Sequence, residues 1–155
     1  MPYIIDGHNL IPKIPGINLQ DLDDEQKLID LLQDYARASQ VSLEVYFDRA
    51  PAGQAKTTQR GRVKVIFVTD KTIADERIIK RIRTLGNSAS SWVVVTSDRR
   101  IQADAKESRA KSMSSEEFAN MLAITLEKDR TRRSSDQTMS DTELDSWLKL
   151  FNQNK

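Results

Sequence analysis

The sequence predicts an α/β fold whose central, mainly parallel sheet is covered by helices on both sides. Two observations carry this. Short apolar runs rich in β-branched residues recur at Tyr3-Ile4-Ile5, Val41 to Phe47, Val63 to Thr69 and Trp92 to Thr96, and most are near-continuous, as strands buried on both faces require. Segments with helical apolar spacing separate most of them, and strands alternating with helices imply a parallel sheet.

The first run ends in Asp6-Gly7-His8-Asn9. In open α/β sheets the carboxyl ends of the strands are where ligands bind, so this turn is a candidate site. Gly7 offers backbone angles closed to other residues and close approach of a substrate. An Asx turn built by Asp6 and Asn9 explains the same residues. Pro12, Pro15 and Gly16 make a loop, and Gln20 to Ser39 reads as an amphipathic helix through Leu22, Leu28, Ile29, Leu32, Tyr35 and Ala36, with acids crowding its first turns. Val41 to Phe47 alternates as a strand and runs into Asp48. Gln54 to Arg62 is polar and basic and reads as a mobile loop. Val63 to Thr69 is the third strand, followed by a helix from Ala74 to Leu85 that Gly86-Asn87-Ser88 ends. Trp92 to Thr96 is the clearest buried strand. It leads through Ser97-Asp98 into a helix from Arg99 to Arg109, and then a short strand at Ala110 to Ser112. Ser114-Ser115-Glu116-Glu117 is a capping box opening a helix through Phe118, Met121, Leu122 and Ile124.

At 155 residues, 38% hydrophobic and 30% charged, the chain suits a single soluble domain without a membrane span or signal sequence. The absence of cysteine excludes disulfides and thiolate metal sites, so the expected compartment is cytoplasmic. A formal net charge of +1 hides an uneven distribution: ten basic residues from Arg49 to Arg83 face only Asp70, Asp75 and Glu76. Such clustering suits a polyanionic ligand.

Four carboxylates share one context. Asp6, Asp48 and Asp98 directly follow strands, and Asp75 opens a helix shortly after another. A parallel sheet gathers such positions at one edge. Packed like charges favour a cation, and hard oxygen donors select Mg2+ or Mn2+. That site can hydrolyse a phosphodiester. Each acid also has a structural reading: Asp75 in a capping box with Thr72, Asp98 as a helix cap, Asp48 as a turn residue before Pro51. One histidine and no cysteine disfavour a catalytic triad or a zinc site, and no phosphate-binding glycine motif is present. A phosphoacceptor domain would want a paired acid after the first strand and a late lysine, which Asp6-Gly7 and Asp98-Arg99 do not offer.

Ile5-Asp6-Gly7-His8-Asn9-Leu10-Ile11, Val45-Tyr46-Phe47-Asp48, Thr72-Ile73-Ala74-Asp75-Glu76-Arg77-Ile78 and Val94-Val95-Thr96-Ser97-Asp98-Arg99 together resemble a NYN domain of the YacP-like branch, within the PIN-like metal-dependent nucleases. Glu143-Leu144-x-x-Trp147-Leu148-x-Leu150-Phe151 is similar to that branch's tail. The resemblance implies a PIN-like (NYN) three-layer α/β/α sandwich and a Mg2+- or Mn2+-dependent endoribonuclease. Asp6, Asp75 and Asp98 match the metal-binding acids, Asn9 matches the polar residue supporting the first acid, and Asp48 is a further catalytic member. His8 departs from a common tyrosine, and Arg49 from a frequent glycine.

From charge, Arg49, Lys56, Arg60 and Arg62 lie on the loop beyond the second strand and are expected beside the acidic edge, holding an RNA backbone. Arg77 and Arg99 follow motif acids and are candidates for phosphate binding or for a structural ion pair. The expected organisation is a nuclease domain over 1–126, a charged linker over 127–139 and an amphipathic helix over 140–155. The expected partner is RNA (mRNA, tRNA or rRNA), with no membrane, and the chain a monomer or weak homodimer. The alternative reading is a non-catalytic RNA-binding factor associated with the translation machinery, which would make the ribosome a partner.

Overall fold

The computed structural model describes residues 1–15, 24–48 and 56–136. Strands β1 (Tyr3–Asp6), β2 (Leu43–Phe47), β3 (Lys56–Arg60), β4 (Val63–Phe67), β5 (Val93–Val95) and β6 (Lys111–Met113) form one sheet in the order β3-β4-β2-β1-β5-β6. Every neighbouring pair is parallel except β3 with β4. The helices are α1 (Gly7–Leu10), α2 (Asp24–Ser39), α3 (Lys71–Thr84), α4 (Arg99–Glu107) and α5 (Ser115–Asp136).

Alternate residues of β1, β2, β4 and β5 feed two separate cores, which is why those strands read as apolar runs. Tyr3, Ile5, Val45, Phe47, Val65 and Val95 pack with Leu28, Leu32 and Tyr35 of α2 and Phe118 and Leu122 of α5. Ile4, Tyr46, Ile66 and Val94 pack with Ile78 and Ile82 of α3 and Ile101 and Ala105 of α4. The result is the expected three-layer sandwich. β1 sits at its centre, between β2 and β5.

Two expectations are corrected. The basic stretch read as a mobile loop contains β3, paired antiparallel to β4 through Lys56↔Phe67 and Arg60↔Val63, with Gly61 at φ +61° in the turn. An edge strand is held by backbone hydrogen bonds while its side chains stay in water, so Lys-Thr-Thr-Gln-Arg gives no apolar signal. The helix opened by Ser114, whose hydroxyl accepts the Glu117 N–H at 3.1 Å, continues to Asp136 instead of yielding to a linker at 127. Its charges are paired: Arg130 with Glu127, Arg132 and Arg133 with Asp129, and Arg37 of α2 with the same Asp129. Spacings of three and four residues put these partners on one helix face. The helix expected over 140–155 lies outside the described residues.

Candidate active site

β1 delivers Asp6 to the carboxyl edge of the sheet, where the residue caps α1 and is 8% exposed. Its pKa is raised to about 6, first by burial and next by the negative charge of Asp75; the Thr96 hydroxyl and the Asn9 backbone amide work the other way, and Asp48 adds a smaller upward push. Asp75 of α3 and Asp48 at the end of β2 thus both act on the Asp6 carboxylate. Asp75 lies inside α3 and does not cap it. The cap is Asp70, whose side chain accepts the Ile73 N–H at 2.9 Å. Asp98 does cap its helix: one oxygen accepts the N–H groups of Arg100 and Ile101 at 2.9 and 3.4 Å.

Gly7 has a different reason from the expected one. Its φ is not positive; instead an added Cβ would stand 2.5 Å from the Phe47 ring and 2.7 Å from the Tyr46 carbonyl oxygen. Glycine is required there by the closeness of β2.

Asn9 was expected in support of Asp6, and its side chain goes instead to Ser97 and Ser115; the other polar residues that bind this edge together were missed. Thr96, fully buried at the end of β5, donates its hydroxyl to Asp6 Oδ2 at 3.3 Å and accepts the Asp98 N–H at 3.1 Å. Asn9 Oδ1 accepts both the Ser97 N–H at 2.8 Å and the Ser115 hydroxyl at 2.5 Å. The Ser97 hydroxyl accepts the Ser115 N–H and donates to Glu116, which Lys13 also holds at 2.9 Å. The only available signal was their position: small hydroxyl residues directly after a buried strand or at a helix start.

His8 was given no specific duty. Its Nε2 is 3.1 Å from Glu25 Oε1, and its Nδ1 is against the Asp48 carboxylate as well as 3.0 Å from the Asp48 backbone nitrogen. Only one of the two Nδ1 contacts can be a hydrogen bond in a given protonation state, and the charge-assisted one to the carboxylate is stronger. Burial lowers the His8 pKa, but the hydrogen bonds to Asp48 and Glu25 outweigh it and hold the pKa near 9.

The expected cationic contacts divide. Lys56 pairs with Phe67, so it lies at the acidic edge, whereas Arg60 pairs with Val63 four residues back, roughly 13 Å towards the opposite edge. Arg62, in the turn after β3, is at that far edge as well, its carbonyl accepting the Leu43 N–H. The expectation that Arg60 and Arg62 stand beside the acids is thus corrected. An antiparallel hairpin reverses the chain where a loop would not. Arg77 and Arg99 are exposed, and among the described residues neither has a carboxylate within 4.0 Å, so the ion-pair alternative is absent there. Arg49 lies outside the described residues.

Among the described residues no three His, Asp or Glu side chains converge closely enough to enclose a metal ion. The donor set is nonetheless of the kind a small hard cation takes, since Mg2+ keeps most of its waters and uses one or two carboxylates plus substrate phosphate. The upward shift of Asp6 under the charge of Asp75 is the strain such a cation would relieve.

A six-stranded, mainly parallel sheet with helices on both faces fits a PIN-like nuclease fold. Residues 3–152 match the family described as YacP-like NYN domain, and the chain belongs to that family. It is 31% identical over 100 residues to the protein YacP of Bacillus subtilis (strain 168), a match covering 61% of this chain and 59% of that relative's length. The crystal structure of Rae1 (YacP) from Bacillus subtilis superposes with a TM-score of 0.71 at 27% identity, covering 99% of this chain and 89% of that one. A tryptophan variant of the same protein superposes at 0.68 with 24% identity, covering 91% and 87%, and speaks for the fold alone.

Proposed function

We propose that the chain is a Mg2+- or Mn2+-dependent endoribonuclease cleaving RNA phosphodiester bonds at the carboxyl edge of the sheet. The observation that carries this reading is Asp6, a carboxylate at a parallel-strand end whose proton affinity is raised first by burial, next by Asp75 and to a smaller extent by Asp48. Asp6 and Asp75, with the oxygen of Asp98 not used in capping α4, are assigned to hold the cation. When bound, it supplies an activated water and neutralises charge building on the phosphate. Thr96 and the Asn9 amide keep the Asp6 carboxylate oriented and ionised. Asn9 and Ser115 fix the β5–α4 corner that carries Asp98. Protonated His8 holds Asp48 at the rim. Lys56, Arg77 and Arg99 are assigned to phosphates on either side of the cut, a mode of contact that gives affinity with little sequence choice.

No described helix is long and apolar enough to cross a membrane. The natural setting for this activity is cytoplasmic RNA.

The test is cleavage of a mixed pool of structured and unstructured RNAs with Mg2+, with Mn2+ and with chelator, comparing the unaltered chain with Asp6→Asn and Asp98→Asn. Asparagine still caps α4, so Asp98→Asn separates metal binding from helix capping. Metal-dependent cleavage lost in both variants is the expected result. RNA binding without cleavage under either metal would replace the nuclease reading with that of a binding factor.

A further inference from the structure

Behind the acidic edge, on the α3 side of the sheet, lies a cleft of about 440 Å³ between α3 and the open face of β3 and β4. Arg77, Lys80 and Arg81 line one wall at helical spacing, so they form a stripe leading away from Asp75. Lys64 rises from the floor and is exposed although β4 is an interior strand, because no described helix covers that part of the sheet. Tyr46, the register partner of Asp6, stands in the cleft on the strand that borders β1.

The charges in the cleft are not balanced. Arg81 is committed to Glu44, bidentate at 2.8 to 3.1 Å, a pairing that neutralises a buried carboxylate. Lys64, Arg77 and Lys80 have no carboxylate within 4.0 Å among the described residues. Other exposed cations among the described residues, Lys106 and Lys111 among them, also lack one; what sets these three apart is that they line a single groove. Three such cations along one groove that leads away from Asp75, in a lining dominated by charged and polar side chains, describe a track for a polyanion.

We infer that single-stranded RNA entering or leaving the acidic edge lies along this cleft, with Lys64 and Lys80 on its phosphates. The inference rests on the proposed ribonuclease reading and gives that site a direction: the strand passes over α3, not over α2 and α5. Arg60 then stands off the path, because its register partner Val63 packs on the α2 side of the sheet, opposite the cleft.

The experiment measures binding of a fluorescent unstructured oligoribonucleotide at several salt concentrations, in an Asp6→Asn background so that nothing is cut. Lys64→Glu/Lys80→Glu is compared with Lys106→Glu/Lys111→Glu, which makes the same change in net charge at exposed positions outside the cleft. Expected is a loss of affinity on the order of tenfold or more for the first pair, with the salt slope reduced by about 1.4, and little change for the second. Equal losses in the two pairs, or none in the first, overturn the inference. Cleavage by the otherwise unaltered chain, measured in parallel, separates the two readings: cutting that survives Lys64→Glu/Lys80→Glu with affinity intact removes the track and leaves the nuclease. A chain that neither binds nor cuts removes both.

Discussion

Asn9 accepts the hydroxyl hydrogen of Ser115 at 2.5 Å, across 106 residues of chain. The same Asn9 oxygen takes the Ser97 N–H, so one side chain on α1 ties the end of β5 to the start of α5. Asn9→Ala leaves both donors without their acceptor, and the cost is expected to be about 2 kcal/mol of folding stability with loss of cleavage. Ser115→Ala leaves Asn9 its bond to Ser97 and should cost about 1 kcal/mol or less. Denaturant unfolding of the two variants, measured beside their activity, checks the order.

Asp6 links stability to pH. Its folded-state pKa of about 6 lies above the ordinary 3.8, so the folded chain holds the proton more tightly than the unfolded one. The stabilisation is complete below pH 3.8 and is lost as pH rises through about 6, amounting to about 3 kcal/mol at roughly 1.4 kcal/mol per unit. In chelator, Asp6→Asn should therefore unfold later than the unaltered chain at pH 7, and the two should converge towards pH 4. Adding Mn2+ should raise the midpoint of the unaltered chain and leave Asp6→Asn unmoved.

His8 has the same sign in a higher pH window. A base raised from 6.5 to about 9 contributes stability that is complete below pH 6.5 and disappears as pH climbs through about 9. With His8, Asp48 and Glu25 all largely shielded, the contribution is about 2 to 3 kcal/mol. His8→Gln should flatten the stability profile between pH 7 and 9, and titration of the single imidazole by NMR should place its midpoint well above 7. A midpoint at the ordinary value would mean that the two carboxylates do not hold the ring.

Gly7→Ala forces a methyl group to within 2.6 Å of Phe47 Cδ1 and 2.7 Å of a backbone oxygen. The ring can shift but the β2 carbonyl cannot move without breaking its pairing to β1. A loss of about 2 to 3 kcal/mol is expected, together with weaker activity because Asp6 is the preceding residue. A Gly86→Ala control, where a Cβ meets nothing within 4 Å but φ is +54°, separates packing from backbone strain.

Local information sufficed for much of this protein. The continuous apolar runs of β1 and β5, the helical spacing in α2 and α3, the Ser114 capping box and an acid after β1, β2 and β5 are properties of neighbouring residues, and they determined the layered parallel sheet and the edge to which those acids are carried. The sequence could not assign β3, or the helical state of 127–136, because both are held by backbone pairing and ion pairs between polar side chains, which have no apolar period. Nor did it find Asp70 as the cap of α3, because Thr72-x-x-Asp75 offers a capping box two residues further on. Tertiary structure alone decided that Lys56 joins the acids while Arg60 leaves them, that Thr96 reaches Asp6 across 90 residues, and that His8 lies between Glu25 and Asp48. Those outcomes depend on which strands become neighbours and which way each runs, and that is settled by burial of the whole sheet at once, not by any segment of it.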